Sequence, residues 1–125
     1  MEQSLLYKEE AFTIIGKCME VHRVLGHGFL EIVYKDAVEI EFKNTGIPYA
    51  REEKFNVYYK NAILRHNYFA DFTVYNKIIL EVKSMDGLHE DLIARTLNYL
   101  KASGYHLGLL VNFGKRSLEY KRIVF

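Results

Sequence analysis

The stretch Tyr68-Phe69-Ala70-Asp71-Phe72-Thr73-Val74-Tyr75-Asn76-Lys77-Ile78-Ile79-Leu80-Glu81-Val82-Lys83-Ser84 holds two apolar runs separated by Asn76-Lys77. Both runs are rich in β-branched and aromatic residues, so the pattern predicts two strands joined by a tight turn. Side chains alternate between faces along a strand. Ile78, Leu80 and Val82 therefore share one face of the second strand, and Glu81 and Lys83 share the other. On the first strand, Tyr68, Ala70, Phe72 and Val74 are expected to form the apolar face, which leaves Asp71 opposite. Paired strands lie about 4.8 Å apart, so Asp71, Glu81 and Lys83 are expected to converge on one side of the sheet.

Outward from this hairpin, Phe55, Val57 and Tyr59 alternate with Lys54, Asn56 and Tyr58, and Lys60-Asn61 makes a turn, so another strand precedes it. Two helices are expected upstream. In the first, Ala11, Ile14, Ile15, Cys18, His22 and Leu25 recur at three- and four-residue steps until Gly26-His27-Gly28 breaks the pattern. In the second, Leu30, Val33, Tyr34, Ala37, Ile40 and Glu41 share one side, and Asn44-Thr45-Gly46-Ile47-Pro48 ends it. Downstream, a third helix is expected from about Leu88 to Ser103, with His89, Leu92, Ile93, Thr96, Leu97 and Leu100 inward and Gly104 closing it. Leu107-Gly108-Leu109-Leu110-Val111 is apolar on both faces, as in a covered central strand, and Leu118 to Phe125 forms the last strand. The order α-α-β-β-β-α-β-β predicts an α/β fold, a mixed sheet flanked by helices.

The 125 residues suffice for one domain, expected to span residues 1–125, and contain neither a low-complexity linker nor an internal repeat. Seventeen Lys and Arg against sixteen Asp and Glu give a formal charge of +1, so any grip on nucleic acid must come from a local patch. The single cysteine, Cys18, excludes an intramolecular disulfide and a multi-cysteine zinc site. An acidic start from Met1 to Glu10, with no signal-peptide pattern and no run of about 20 apolar residues, leads to the expectation of a cytoplasmic protein with no membrane partner.

A Glu-x-Lys triplet alone carries little information, since this chain has four: at Glu41, Glu52, Glu81 and Glu119. Only the copy at 81 to 83 lies in an apolar strand whose hairpin neighbour supplies another acid. Two carboxylates with a backbone carbonyl, here that of Val82, make a hard-oxygen site suited to Mg²⁺ or Mn²⁺. Such a cation activates water and neutralises phosphodiester charge, while a lysine steadies the nucleophile. The alternative is an exposed sheet face with a cross-strand salt bridge, worth about 0.2–1 kcal/mol.

Asp71, the nine-residue gap and Glu81-Val82-Lys83 resemble the D-x(n)-E-x-K core of the PD-(D/E)xK nuclease superfamily. Upstream, Gly28-Phe29-Leu30-Glu31-Ile32-Val33-Tyr34 resembles the G-x-x-E-x-x-Y signature of a small family within it, the GxxExxY proteins. Leu97 to Gly104, followed by Leu107 to Gly114, is similar to that family's closing helix and strand, and the likeness runs from about Glu10 to Phe125. The resemblance implies a minimal restriction-endonuclease-like core and a metal-dependent nuclease acting on DNA or RNA. It also implies Asp71 and Glu81 as metal ligands, Lys83 as catalytic lysine, Glu31 as an additional acid, and Tyr34 and Tyr99 in the same cleft. A non-catalytic nucleic-acid-binding or dimeric module on the same fold is the other reading, and self-association is left open.

Read from its position alone, Glu31 lies in the first turn of a helix, where a carboxylate either caps the backbone or supports a metal. The family's usual glutamine one turn before the closing tyrosine is replaced by Arg95, which shares a face with Tyr99. Arginine there either grips a phosphate bidentately or pairs with Asp71 or Glu81 and blocks the metal. His22 and His89 are expected on helix stripes, His66 on a solvated edge, and Cys18 as a buried thiol. Lys115-Arg116 and Lys121-Arg122 are read as surface charge.

Overall fold

The apolar patterns fold into eight elements in the computed structural model, which describes residues 5–125; Met1 to Ser4, the start of the acidic N-terminal stretch, lie outside them. They are α1 (Lys8–Leu25), α2 (Glu31–Thr45), β1 (Tyr49–Tyr59), β2 (Ala62–Val74), β3 (Ile78–Lys83), α3 (Glu90–Ser103), β4 (Leu107–Asn112) and β5 (Glu119–Val124). The expected order α-α-β-β-β-α-β-β is the observed one. The strands form one mixed sheet in the order β1-β2-β3-β4-β5. Every neighbouring pair is antiparallel except β3–β4, which α3 joins as a crossover. Among the described residues no helix is long and apolar enough to cross a membrane.

Two apolar layers flank the sheet. On one face α1 and α2 bring Ile14, Cys18, Tyr34, Val38 and Phe42 against Phe72, Val74, Leu80, Val82, Leu109 and Val111. On the other, α3 brings Leu92, Tyr99 and Leu100 against Ala70, Ile79, Leu110 and Ile123. The central strands β3 and β4 are covered on both sides, which is why their sequences are nearly all apolar. Gly108 in β4 is required by this packing, because a Cβ there would sit 2.6 Å from the Thr96 methyl of α3.

Three details of the expected pattern are revised. The apolar residues of β2 do not share one face: Tyr68 and Ala70 join the α3 layer, whereas Phe72 and Val74 join the α1–α2 layer. The change of side occurs at Asp71. Opposite it in β1, Glu52 adopts a left-handed φ of 56°, and its pairing is skipped while the register on either side continues unchanged. In α2 the buried stripe is Tyr34, Lys35, Val38 and Phe42, while Leu30 and Ile40 are exposed. A lysine in the stripe disguised its phase. In α3, His89 lies at the N-cap and is exposed, and Tyr99 takes the inward place instead.

Candidate active site

The site is built where β2 parts from β3. Their ladder ends at Phe72 opposite Leu80, so Asp71 and Glu81 are the next residues out in the same register. There the two side chains replace the missing ladder bonds. The Asp71 N–H donates to Glu81 Oε2 at 2.8 Å, and the Val82 N–H donates to Asp71 Oδ2 at 2.8 Å. Each carboxylate is thus held by the other strand's backbone, and both are buried. The N–H and C=O of a strand residue point to the same edge, so the Val82 carbonyl also faces the Asp71 side of β3.

Lys83, two residues on, places its Nζ 3.8 Å from Glu81 Oε1 with its side chain largely buried. Asp71, Glu81 and Lys83 are therefore brought together, although Asp71 arrives through the end of the β2–β3 ladder rather than through the single apolar face of β2 that the alternation predicted. Glu31 enters from α2, half-buried, and lies within the field of Lys83 and Asp71. Burial raises its pKa above the ordinary carboxylate value, and the Lys83 charge works in the opposite direction.

The turn before α2 explains how Glu31 reaches this point. Gly28 has a φ of 110°, which a side chain would strain. The Tyr34 hydroxyl donates to Gly26 O at 2.6 Å and accepts from the Phe29 N–H at 3.2 Å, while the Ser84 hydroxyl donates to Phe29 O at 2.7 Å. Tyr34 itself is fully buried and stacked on Phe113, with ring centroids 4.7 Å apart. It sits in the core as the clamp of this turn, rather than on the cleft surface.

Sequence reasoning passed over Lys35. Its ammonium is buried between α2 and the sheet, donating to Asp71 Oδ1 at 3.1 Å and to Glu52. Burial opposes its charge, but the bonds to Glu52 and Asp71 outweigh it and hold the pKa above the usual lysine value. The signal that could have found it is spacing: Lys35 is four residues after Glu31 and so lies on the same helix face. Glu52, in its left-handed backbone position, is the second residue missed.

Glu81 is the electrostatic centre of the cluster. Burial, and next the neighbouring Asp71 charge, push its pKa up to about 8, against the pull of the Asp71 N–H, Lys83 and Lys35. Tyr99 lines the α3 side, and burial followed by the Glu81 charge pushes its hydroxyl up to about 12, so it stays a hydrogen-bond donor. Arg95 is exposed one turn before it on α3 and makes no ion pair among the described residues, so it does not block Asp71 or Glu81. A buried network behind the site fixes the β3–α3 loop. Asn112 accepts from the Met85 and Gly114 N–H groups and donates to Met85 O.

Among the described residues neither Cys18 nor any histidine hydrogen-bonds or pairs with Asp71, Glu81 or Lys83. His22 is buried with its ring nitrogen 2.8 Å from Lys115 O. His66 is exposed, and burial pushes the Cys18 thiol up to about 12.

Among the described residues, no group of three or more His, Cys, Asp or Glu is already arranged as a metal cage. The donor set at the strand junction nevertheless fits a hard cation. Glu31, Glu52, Asp71 and Glu81 lie about two ammonium groups, Lys35 and Lys83, and burial, followed by the Asp71 charge, raises the Glu81 pKa. Carboxylate oxygens engaged in one hydrogen bond retain a second lone pair for a metal.

No curated protein sequence matches the chain. Among solved structures it is similar to the crystal structure of SSO0001, with a TM-score of 0.62 at 18% identity over 94% of this chain. It spans 57% of that longer chain, so the likeness concerns the fold. The family model of the PD-(D/E)XK nuclease superfamily matches residues 8–123, from the first turn of α1 to the last strand. The mixed sheet, the crossover at α3 and that match over nearly the whole length agree: the chain belongs to the PD-(D/E)XK nuclease superfamily.

Proposed function

We propose that this chain is a single-domain, metal-dependent nuclease of the GxxExxY type, hydrolysing phosphodiester bonds of DNA or RNA in the cytoplasm. The observation that carries the reading is the reciprocal bonding of Asp71 and Glu81 across the end of the β2–β3 ladder, with Lys83 beside them. Nothing in sheet stability calls for two acids and a lysine buried at one junction. The carboxylates of Asp71 and Glu81, with the Val82 carbonyl, would hold Mg²⁺ or Mn²⁺, chosen over Zn²⁺ because all the donors are hard oxygens. When bound, the cation supplies a Lewis acid and lowers the pKa of its water.

The remaining roles belong to side chains of this chain. Lys83 presents its ammonium to the attacking water and to charge developing on the phosphate. Glu31, sharing the field of Lys83, orients that ammonium. The Tyr99 hydroxyl, protonated at any physiological pH, donates to a phosphate oxygen, and Arg95 one turn earlier can grip the neighbouring phosphate with its planar fork. The test is cleavage of labelled single- and double-stranded DNA and RNA across an Mg²⁺ and Mn²⁺ titration, read beside calorimetry of metal binding. Metal-dependent cleavage abolished by Asp71→Asn is expected, and absence of both binding and cleavage at millimolar metal defeats the proposal.

A second reading, a non-catalytic nucleic-acid-binding or dimeric module, draws on one observation: Lys35 already holds Asp71 Oδ1. It predicts no metal binding by calorimetry and a structure indifferent to EDTA. Sedimentation of the chain reports whether it self-associates.

A further inference from the structure

Beside the active site, the β1–β2 hairpin and α3 enclose an open pocket of about 360 Å³, at the lower end of the range for small-ligand sites. Its walls carry Asn56 and Tyr58 from β1, Tyr68 from β2, and Asn98 and Lys101 from α3. No carboxylate lines it. The register of β1 against β2 slips between Asn56 and Tyr58, and a bulge of this kind re-aims the side chains around it. Tyr68 packs edge-on against Tyr99, with ring centroids 5.2 Å apart at 75°. Tyr99 in turn feels the Glu81 charge. One pocket residue, Tyr68, thus touches Tyr99, the ring on α3 that feels the Glu81 charge.

The lining groups make a coherent set. Tyr58 is 63% exposed and offers a ring face for stacking. Asn98 commits one amide hydrogen to Ala94 O, which leaves its carbonyl oxygen to accept, and Asn56 makes no side-chain hydrogen bond among the described residues. Lys101 is exposed and has no carboxylate partner among the described residues; its ammonium lies 5.8 Å from the centroid of the Phe125 ring. A flat ring with polar edges, joined to a phosphate, satisfies all of these at once. In a duplex the base faces are covered by their neighbours. The formal charge of +1 supplies no broad field for gripping a double helix, so affinity here comes from local groups, through stacking and the Lys101 ammonium.

We infer that this pocket is a subsite for one unpaired nucleotide of a single-stranded DNA or RNA, held beside the reacting phosphate. The inference rests on the nuclease reading for that position, and its test is separable from it. Tyr58 and Lys101 are exposed, so Tyr58→Ala and Lys101→Ala leave the core intact, which circular dichroism verifies. Fluorescence anisotropy in EDTA measures binding of a short labelled single strand, as DNA and as RNA, and of the matching blunt duplex. Cleavage of the same single strand is followed separately with Mn²⁺. Losing a stacked base on an aromatic ring is expected to weaken single-strand binding at least about fivefold for Tyr58→Ala. A similar loss is expected for Lys101→Ala, with duplex binding unchanged. Phe12→Ala, an exposed aromatic on α1 away from the pocket, should bind as the parent does. The inference falls if both pocket variants keep parental single-strand affinity, if duplex binding drops equally, or if the parent binds no single strand. Metal-dependent cleavage with unaltered binding by the variants defeats the pocket alone. Pocket-dependent binding by a chain that neither binds metal nor cleaves any of the single- and double-stranded substrates defeats the nuclease reading and leaves the subsite standing.

Discussion

Glu81→Gln tests whether the buried Glu81 carboxylate is held in the fold at an electrostatic cost. Glu81 is 2% exposed, and burial together with Asp71 raises its pKa from the ordinary 4.5 to about 8. A raised carboxylate pKa means that the native state holds the proton more tightly than the unfolded chain. Stability therefore falls as pH rises from about 4.5 to about 8 and levels off above that. At about 1.4 kcal/mol per pH unit, the ceiling on this loss is about 5 kcal/mol. Relaxation around a buried acid and its coupling to Asp71 reduce the expected loss to roughly 2–3 kcal/mol. Glutamine keeps the oxygen that accepts the Asp71 N–H and removes the titration. Urea melts in EDTA from pH 5 to pH 9 should show the parent losing that stability while Glu81→Gln stays closer to level. The two proteins should be near equal at pH 5 and the variant more stable at pH 9. Glu31, shifted in the same direction, is present in both proteins and largely cancels in the comparison. Adding Mg²⁺ or Mn²⁺ at pH 8 should stabilise the parent and not the variant, by preferential binding to the native state. Parallel pH profiles for parent and variant would refute the argument, since the buried charge would then carry no cost.

Lys83→Ala should lower cleavage by roughly two orders of magnitude or more with substrate binding nearly unchanged, because the ammonium acts on charge that develops in the transition state; single-turnover kinetics beside anisotropy separate the two. Lys35→Met removes the cation between Asp71 and Glu52 and should cost about 2–4 kcal/mol in metal-free urea melts, with part of the loss recovered by Mn²⁺. Arg95→Gln should leave calorimetric metal affinity unchanged, because Arg95 pairs with neither Asp71 nor Glu81, and should lower cleavage if the guanidinium grips a phosphate. Gly114→Ala places a Cβ 2.2 Å from the Met85 carbonyl oxygen, so the β3–α3 loop must shift; thermal melts should show a loss of at least about 1–3 kcal/mol.

The order of the elements, the mixed sheet and the common face of Glu81 and Lys83 were legible in the sequence, because each follows from a local rule. Periodicity separates helix from strand, Asn76-Lys77 turns the hairpin, and alternation puts Glu81 and Lys83 on the face opposite Val82. The likeness of Gly28 to Tyr34 to a known signature also stood in the sequence. The physical use of that stretch, in which the Tyr34 hydroxyl clamps the turn that delivers Glu31, came only with the structure. What tertiary structure alone decided are the places where a local rule yields to a distant partner. Lys35 reads as a solvated helix residue until Asp71 and Glu52, from two strands, meet it in the interior. β2 alternates regularly on paper, yet its apolar side chains change layers at Asp71, where Glu52 within β1 takes a left-handed φ and the β2–β3 ladder ends. Asp71 and Glu81 also bond each other's strands only because that ladder has ended. A periodic pattern specifies which side a residue faces within its own element, whereas a buried charge is settled by what other elements bring to it, and that information is spread over residues far apart in the chain.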